Sequence, residues 1–166
     1  MRARPAGPTE IADAPGVLLL TWSNVLSVRV FDFLVLEKCI SKNQATLESF
    51  RNKEILDYGT EDDTIIRTLY DEFLDVLQIL DGKAAGRKSP VGVSKTLHLL
   101  CPRFFLLWDD NITQAYKCKY DYIQFMREMK VIADEISGDF VIESGGKSLL
   151  KLIDEYNYAK YTMGWI

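Results

Sequence analysis

Apolar residues recur at helical spacing through most of this chain. The clearest case runs over 61–81, where Ile65, Ile66, Leu69, Phe73, Val76, Leu77 and Leu80 fall on one face of a helix. Thr60 and Asp63 predict a capping arrangement at its start, Glu61 and Asp62 suit the positive helix end, and Gly82 closes it. A buried helix is expected over 30–41 and another over 44–57, the latter ended by Tyr58-Gly59. The segment 93–101 predicts a short apolar helix stopped by Pro102, and a further helix begins near Asp109 or Asp110 and runs to about Lys119. Asp121 with Gln124 resembles a capping box for a helix ending at Gly138, with Ile123, Met126, Met129 and Ala133 inward. A last helix over 148–161 turns Leu149, Leu152, Ile153 and Tyr156 inward. Residues 17–29 fit a strand or a helix equally, and 139–144 reads as a short strand or an extended connector. Alternating strand–helix units are absent, so the fold expected is all-α rather than a parallel sheet.

At 166 residues the chain fits one domain with a core large enough to stand without metals or disulfides. Residues 1–16, with three prolines, read as a loose arm, leaving 17–166 as a single helical domain. Cys39, Cys101 and Cys118 show no C-x-x-C spacing, which suits reduced, buried thiols in a cytoplasmic protein. One histidine and no Cys/His cluster speak against a metal site, and no cofactor is implied. The apolar run 16–22 is too short to span a bilayer, so no membrane partner is expected.

A net charge of −4 argues against generic nucleic-acid binding, but the charge is uneven. Residues 83–119 hold seven basic residues against Asp109 and Asp110, a local +5 that leaves −9 for the rest. Such a stretch suits a phosphate-contacting site and equally a solvated loop.

Within it lies "SPVGVSKTLHLLCPRFFLLWDDNI", residues 89–112. It is not a nucleotide-binding loop, because Ser89 and Ser94 stand where glycines are needed and Pro90 interrupts the loop. His98, one turn beyond Lys95 in an apolar segment, reads as a core histidine. The stretch Pro90–Ser94 predicts a tight turn in which Gly92 lets the backbone pass close to another surface. Amides at the following helix start, near Ser94 to Thr96, would then face a phosphate with Lys95 beside them. Further on, Asp109 follows the apolar run Phe104–Trp108 at a helix start, which is a place for acid–base or electrostatic work and also a preferred place for a capping aspartate.

These residues resemble the core of the helix-hairpin-helix DNA glycosylase superfamily, over about residues 76–116. The "SKTLHLL…WDDNI" pattern is also similar to small prokaryotic proteins of unassigned activity. By the first resemblance Gly92 and Val93 match the hairpin turn, Lys95 the lysine that forms a Schiff base in bifunctional members, and Asp109 the aspartate that supports departure of the base. It implies a DNA partner and removal of a damaged or unusual base extruded into a pocket. Gly92, Val93, Ser94, Arg87 and Lys88 would hold the backbone, while Trp108, Phe104 or Phe105 would stack on the base. The chain departs from the pattern in that the hairpin's second glycine is Ser94, the interval from Lys95 to Asp109 is shorter, and no cluster-binding cysteines follow. A non-catalytic nucleic-acid-binding module and a helical interaction domain are the alternative expectations.

Overall fold

The computed structural model describes residues 32–80, 83, 85–137 and 147–166. Five of the seven α-helices among the described residues begin where a side chain accepts from the orphan amides of the first turn; the helices Gln44–Arg51 and Asp63–Val76 lack such a cap. Asp32 Oδ1 accepts from Leu34 and Val35 and opens α1 (Phe33–Lys42), which leads through Asn43 into α2 (Gln44–Arg51). Two single 3₁₀ turns, Ile55–Asp57 and Thr60–Asp62, precede α3 (Asp63–Val76). Ser89 opens α4 (Pro90–Leu100), and Asp109 opens the short α5 (Asp110–Ala115). Asp121 Oδ1 accepts from Ile123 and Gln124 to open α6 (Tyr122–Ser137). Ser148 opens α7 (Leu149–Asn157), which widens into a π-helical turn over Tyr158–Thr162.

The all-α expectation holds: no strand occurs among the described residues, only an isolated antiparallel bridge between Gln78 and Lys88. That bridge belongs to the connection from α3 to α4, where Ile79 N donates to Arg87 O and Gly86 N to Ile79 O. Gly86 takes φ +80° there, a left-handed conformation that glycine adopts without steric cost. Helix α3 packs on α1, α4 and α6, and α6 packs in turn on α7. At the centre lie Leu36, Phe50, Ile66, Phe73, Leu97, Phe104, Phe105, Trp108, Phe125 and Met126, each about 1 % exposed or less. Burying side chains of this size stabilises the fold by roughly 1.5–3 kcal/mol apiece.

Several boundaries differ from the sequence reading. The helix expected over 44–57 stops at Arg51, and the one expected over 61–81 spans Asp63–Val76, with Thr60 in a 3₁₀ turn rather than at a cap. Ile66, Leu69, Tyr70 and Phe73 form its buried stripe, so Ile65 and, beyond the helix, Leu80 point to solvent. The helix expected over 148–161 likewise leaves Tyr156 exposed, because Leu150, Ile153, Asp154 and Asn157 take the inward positions. The largest correction concerns Pro90–Ser94. This stretch is not a tight turn but the opening of α4, with Pro90 in its first turn, where a missing amide hydrogen costs nothing. The readings for residues 1–16, 17–29 and 139–144 lie outside the described residues.

Candidate functional site

Helix α4 carries Lys95 outward from the core. After Leu100 the chain turns at Cys101–Phe105 and runs back along α4, so that Trp108 N approaches Ser94 Oγ at 3.5 Å. The return brings Asp109 to the side of the molecule that holds Lys95. Both residues line one cavity of about 340 Å³, together with Leu107, Trp108, Ile112, Lys151, Asp154, Glu155 and Tyr158. That volume falls within the range of small-molecule sites, about 300–1,000 Å³.

Lys95 is half-buried. Burial lowers its ammonium below the ordinary lysine range, and the charge of Asp109 pulls the other way. An amine of lowered pKa is the form that attacks carbonyl or sugar carbon. Asp109 is held from both sides: Oδ1 accepts from Ile112 N at 2.9 Å and Oδ2 accepts from Thr162 Oγ1 at 2.5 Å. The first bond is the cap of α5, so the capping role is present alongside any chemical one.

Other expected site residues are elsewhere. Phe104 and Phe105 are fully buried; Phe104 stacks on Phe50 at 4.7 Å and Phe105 meets the same ring edge-on at 5.3 Å. They are core and offer no face to a base. Trp108 borders the cavity, but Tyr70, Tyr120, Tyr122 and Phe125 surround its ring and its Nε1 donates to Pro90 O at 3.2 Å. Gly92, Val93 and Ser94 are buried inside α4. The Gly92 amide donates to Ser89 Oγ and the Val93 amide to Ser89 O, so these two amides are satisfied within the helix start, and Ser94 to Thr96 lie inside α4 rather than at a helix start facing a phosphate. Arg87 and Lys88 remain on the surface in the loop before α4, with Lys88 Nζ 2.5 Å from Asp75.

The residues that sequence reasoning missed come from the last helix. Asp154 is 5 % exposed, yet it borders the cavity. Its Oδ1 accepts from Leu107 N at 3.1 Å, and its Oδ2 has no hydrogen-bond partner. Burial pushes this carboxyl up to about 8, against the bond from Leu107 and the charge of Lys151. His98 Nδ1 lies 3.5 Å from Asp154 Oδ2, but that nitrogen donates to Phe105 O at 2.8 Å. Burial lowers the imidazole as well, so the contact joins two neutral groups and is not an ion pair. As expected, His98 is a core histidine with a satisfied ring nitrogen. The available signal for Asp154 was its place on the apolar stripe of α7 with Leu150 and Ile153, where a carboxylate is out of pattern.

Among the described residues no group of three or more His, Cys, Asp and Glu side chains could hold a metal, and no helix is long and apolar enough to cross a membrane. The three cysteines are buried and unpaired. Comparison with family models, curated proteins and solved structures gives no match.

Proposed function

We propose that the chain is a DNA glycosylase-like protein that removes a damaged or unusual base, with the extruded base held in the Lys95–Asp109 cavity. One observation carries the reading: a lysine of lowered basicity and a fixed aspartate, far apart in sequence, border a hollow of nucleobase scale. In this reading the bond from C1′ to the base breaks with its electron pair going to the base. Asp109 supports the positive charge that develops on the sugar. Lys95 attacks C1′ as a neutral amine; the sugar ring opens, the nitrogen closes to an imine, and the departing base takes up a proton. Leu107, Ile112 and the edge of Trp108 supply the apolar wall. Grip on the DNA backbone falls to exposed Arg87 and Lys88, in the loop just before α4, rather than to the buried amides of α4.

Borohydride reduction in the presence of abasic DNA tests the chemistry, because it converts the imine into a stable covalent adduct. The wild-type chain should be trapped and Lys95→Ala should not. No adduct with wild type, or equal trapping of the variant, would remove Lys95 from the mechanism. The second reading, a non-catalytic binding module, draws on the bonds that already occupy both oxygens of Asp109. It predicts salt-sensitive DNA binding that survives Asp109→Asn, with no turnover.

A further inference from the structure

We infer that Asp154 is the residue by which this cavity recognises its occupant, its carboxyl donating a hydrogen bond to a lone pair on the edge of a neutral heterocycle. The inference rests on the reading of the cavity given above and adds to it the group that selects the ligand. It begins from an unmet valence. A buried carboxyl normally has every oxygen engaged, since an unsatisfied buried polar atom costs about 1–3 kcal/mol. Asp154 breaks that rule at Oδ2, and the residue is one of those that line the cavity.

The neighbours narrow the role. Asp109 is engaged at both oxygens. Glu155 accepts from Lys147 at 2.6 Å and has Lys151 at 3.7 Å. His98 beneath Asp154 spends its Nδ1 proton on Phe105 O. Asp154 therefore receives no hydrogen bond at Oδ2 from any of these groups, and its burial keeps the proton on the carboxyl at neutral pH. With Oδ1 accepting from Leu107, that proton resides on Oδ2, which becomes a donor.

The charges around it balance. The lining sets two basic side chains, Lys95 and Lys151, against two acidic ones, Asp109 and Glu155, beside Asp154, so it holds no excess of basic groups with which to prefer a free anion. Apolar Leu107, Trp108 and Ile112 complete the lining. An apolar slot with a neutral donor suits a planar ring that carries a ring nitrogen or carbonyl acceptor, the chemistry of a nucleobase edge.

Free uracil, hypoxanthine and adenine are the probes, titrated into the full chain with ¹³C-labelled aspartate carboxyls and followed in parallel by calorimetry. At least one base should bind, and the Asp154 carboxyl resonance should move with it. Asp154→Asn, which can still accept from Leu107 and donate through its amide, should bind within about tenfold of wild type. Asp154→Leu should lose about tenfold or more, the worth of one buried hydrogen bond. Equal affinity in wild type and Asp154→Leu, with resonances of Trp108 and Lys95 still moving, would overturn the role of Asp154 and leave the cavity reading intact. Binding of no base to the wild-type chain would overturn both. Should Asp154→Leu not fold, the wild-type carboxyl signal decides alone: a resonance unmoved at saturation refutes the inference.

Discussion

Raising the pH should cost this protein stability through Asp154, and replacing that residue by asparagine should abolish the cost. The folded carboxyl titrates at about 8 against an ordinary value of 3.8. Between those values the native chain keeps a proton that the unfolded chain has released. The native state therefore binds more protons, and unfolding becomes easier as pH rises. Below about pH 4 both states are protonated and the effect vanishes. Above it, each pH unit removes up to about 1.4 kcal/mol until the folded carboxyl itself ionises. From about pH 5 to about pH 8 the loss attributable to Asp154 comes to roughly 3–4 kcal/mol, a large share of the 5–15 kcal/mol typical of a domain. His98 contributes with the opposite sign: its lowered pKa makes folding more favourable as pH rises toward its ordinary value of 6.5, after which its term is constant. Urea unfolding followed by tryptophan fluorescence, at several pH values and constant ionic strength, measures the sum. Subtracting the Asp154→Asn curve isolates the carboxyl. The variant should be close to wild type in acid and pull ahead by roughly 3–4 kcal/mol near pH 8. A difference that stays flat from about pH 5 to about pH 8 would mean that the carboxyl is neither buried nor protonated as described.

The fold and the surface give further tests. Ser89→Ala removes the acceptor for the Gly92 amide and should lower stability by about 1 kcal/mol in urea unfolding; no loss would mean that the helix start is not capped there. Phe104→Ala should cost about 3–5 kcal/mol, because the ring is fully buried against Phe50 and Phe105; a loss under about 1 kcal/mol would return Phe104 to the wall of an open pocket. If Arg87 and Lys88 contact phosphates, alanine at each should reduce the slope of log binding constant against log salt by about 1 in DNA titrations, and an unchanged slope would place the backbone contacts elsewhere.

What could be read from the sequence was what local chemistry decides. The start of α6 is legible because Asp121 needs nothing beyond its own amides two and three residues on. The stripe Ile123, Met126, Met129 and Ala133 follows from the same start. Helix α3 was legible as a helix but less so in phase. Ile65 and Ile66 are both apolar, and only packing against neighbouring helices chooses Ile66 for the interior. Pro90 and Gly92 were misread because proline and glycine serve two grammars. They make turns, and they also fit the first turn of a helix, where Pro90 lacks an amide that would have had no partner. The choice is made from outside α4. Tyr70 Oη and Trp108 Nε1 both donate to Pro90 O, at 3.4 and 3.2 Å, and so tie the helix start to α3 and to the returning chain.

The same misreading explains why the two expected site residues still meet. A tight turn at 90–94 would set phosphate-facing amides beside Lys95, yet Lys95 reaches the cavity without one. As part of an uninterrupted helix, Val93, Thr96, Leu97 and Leu100 are drawn into the core, and the stretch places Lys95 beside the path of the returning chain. Phe104 and Phe105, expected to line a base pocket, instead bury themselves against Phe50 and so anchor the return. Leu106 O then accepts from Tyr122 Oη at 2.8 Å, and Leu107 N donates to Asp154, which fixes the register at which Asp109 arrives. The aromatic residues thus shape the site from behind it. The polar residue that completes its floor is Asp154, held by the backbone of the same returning segment that carries Asp109. Asp109 keeps its own bonds to Ile112 and Thr162, so what the Leu107–Asp154 bond shares with it is the backbone of residues 107–109, through which the chemistry proposed at Asp109 and the recognition proposed at Asp154 are geometrically linked.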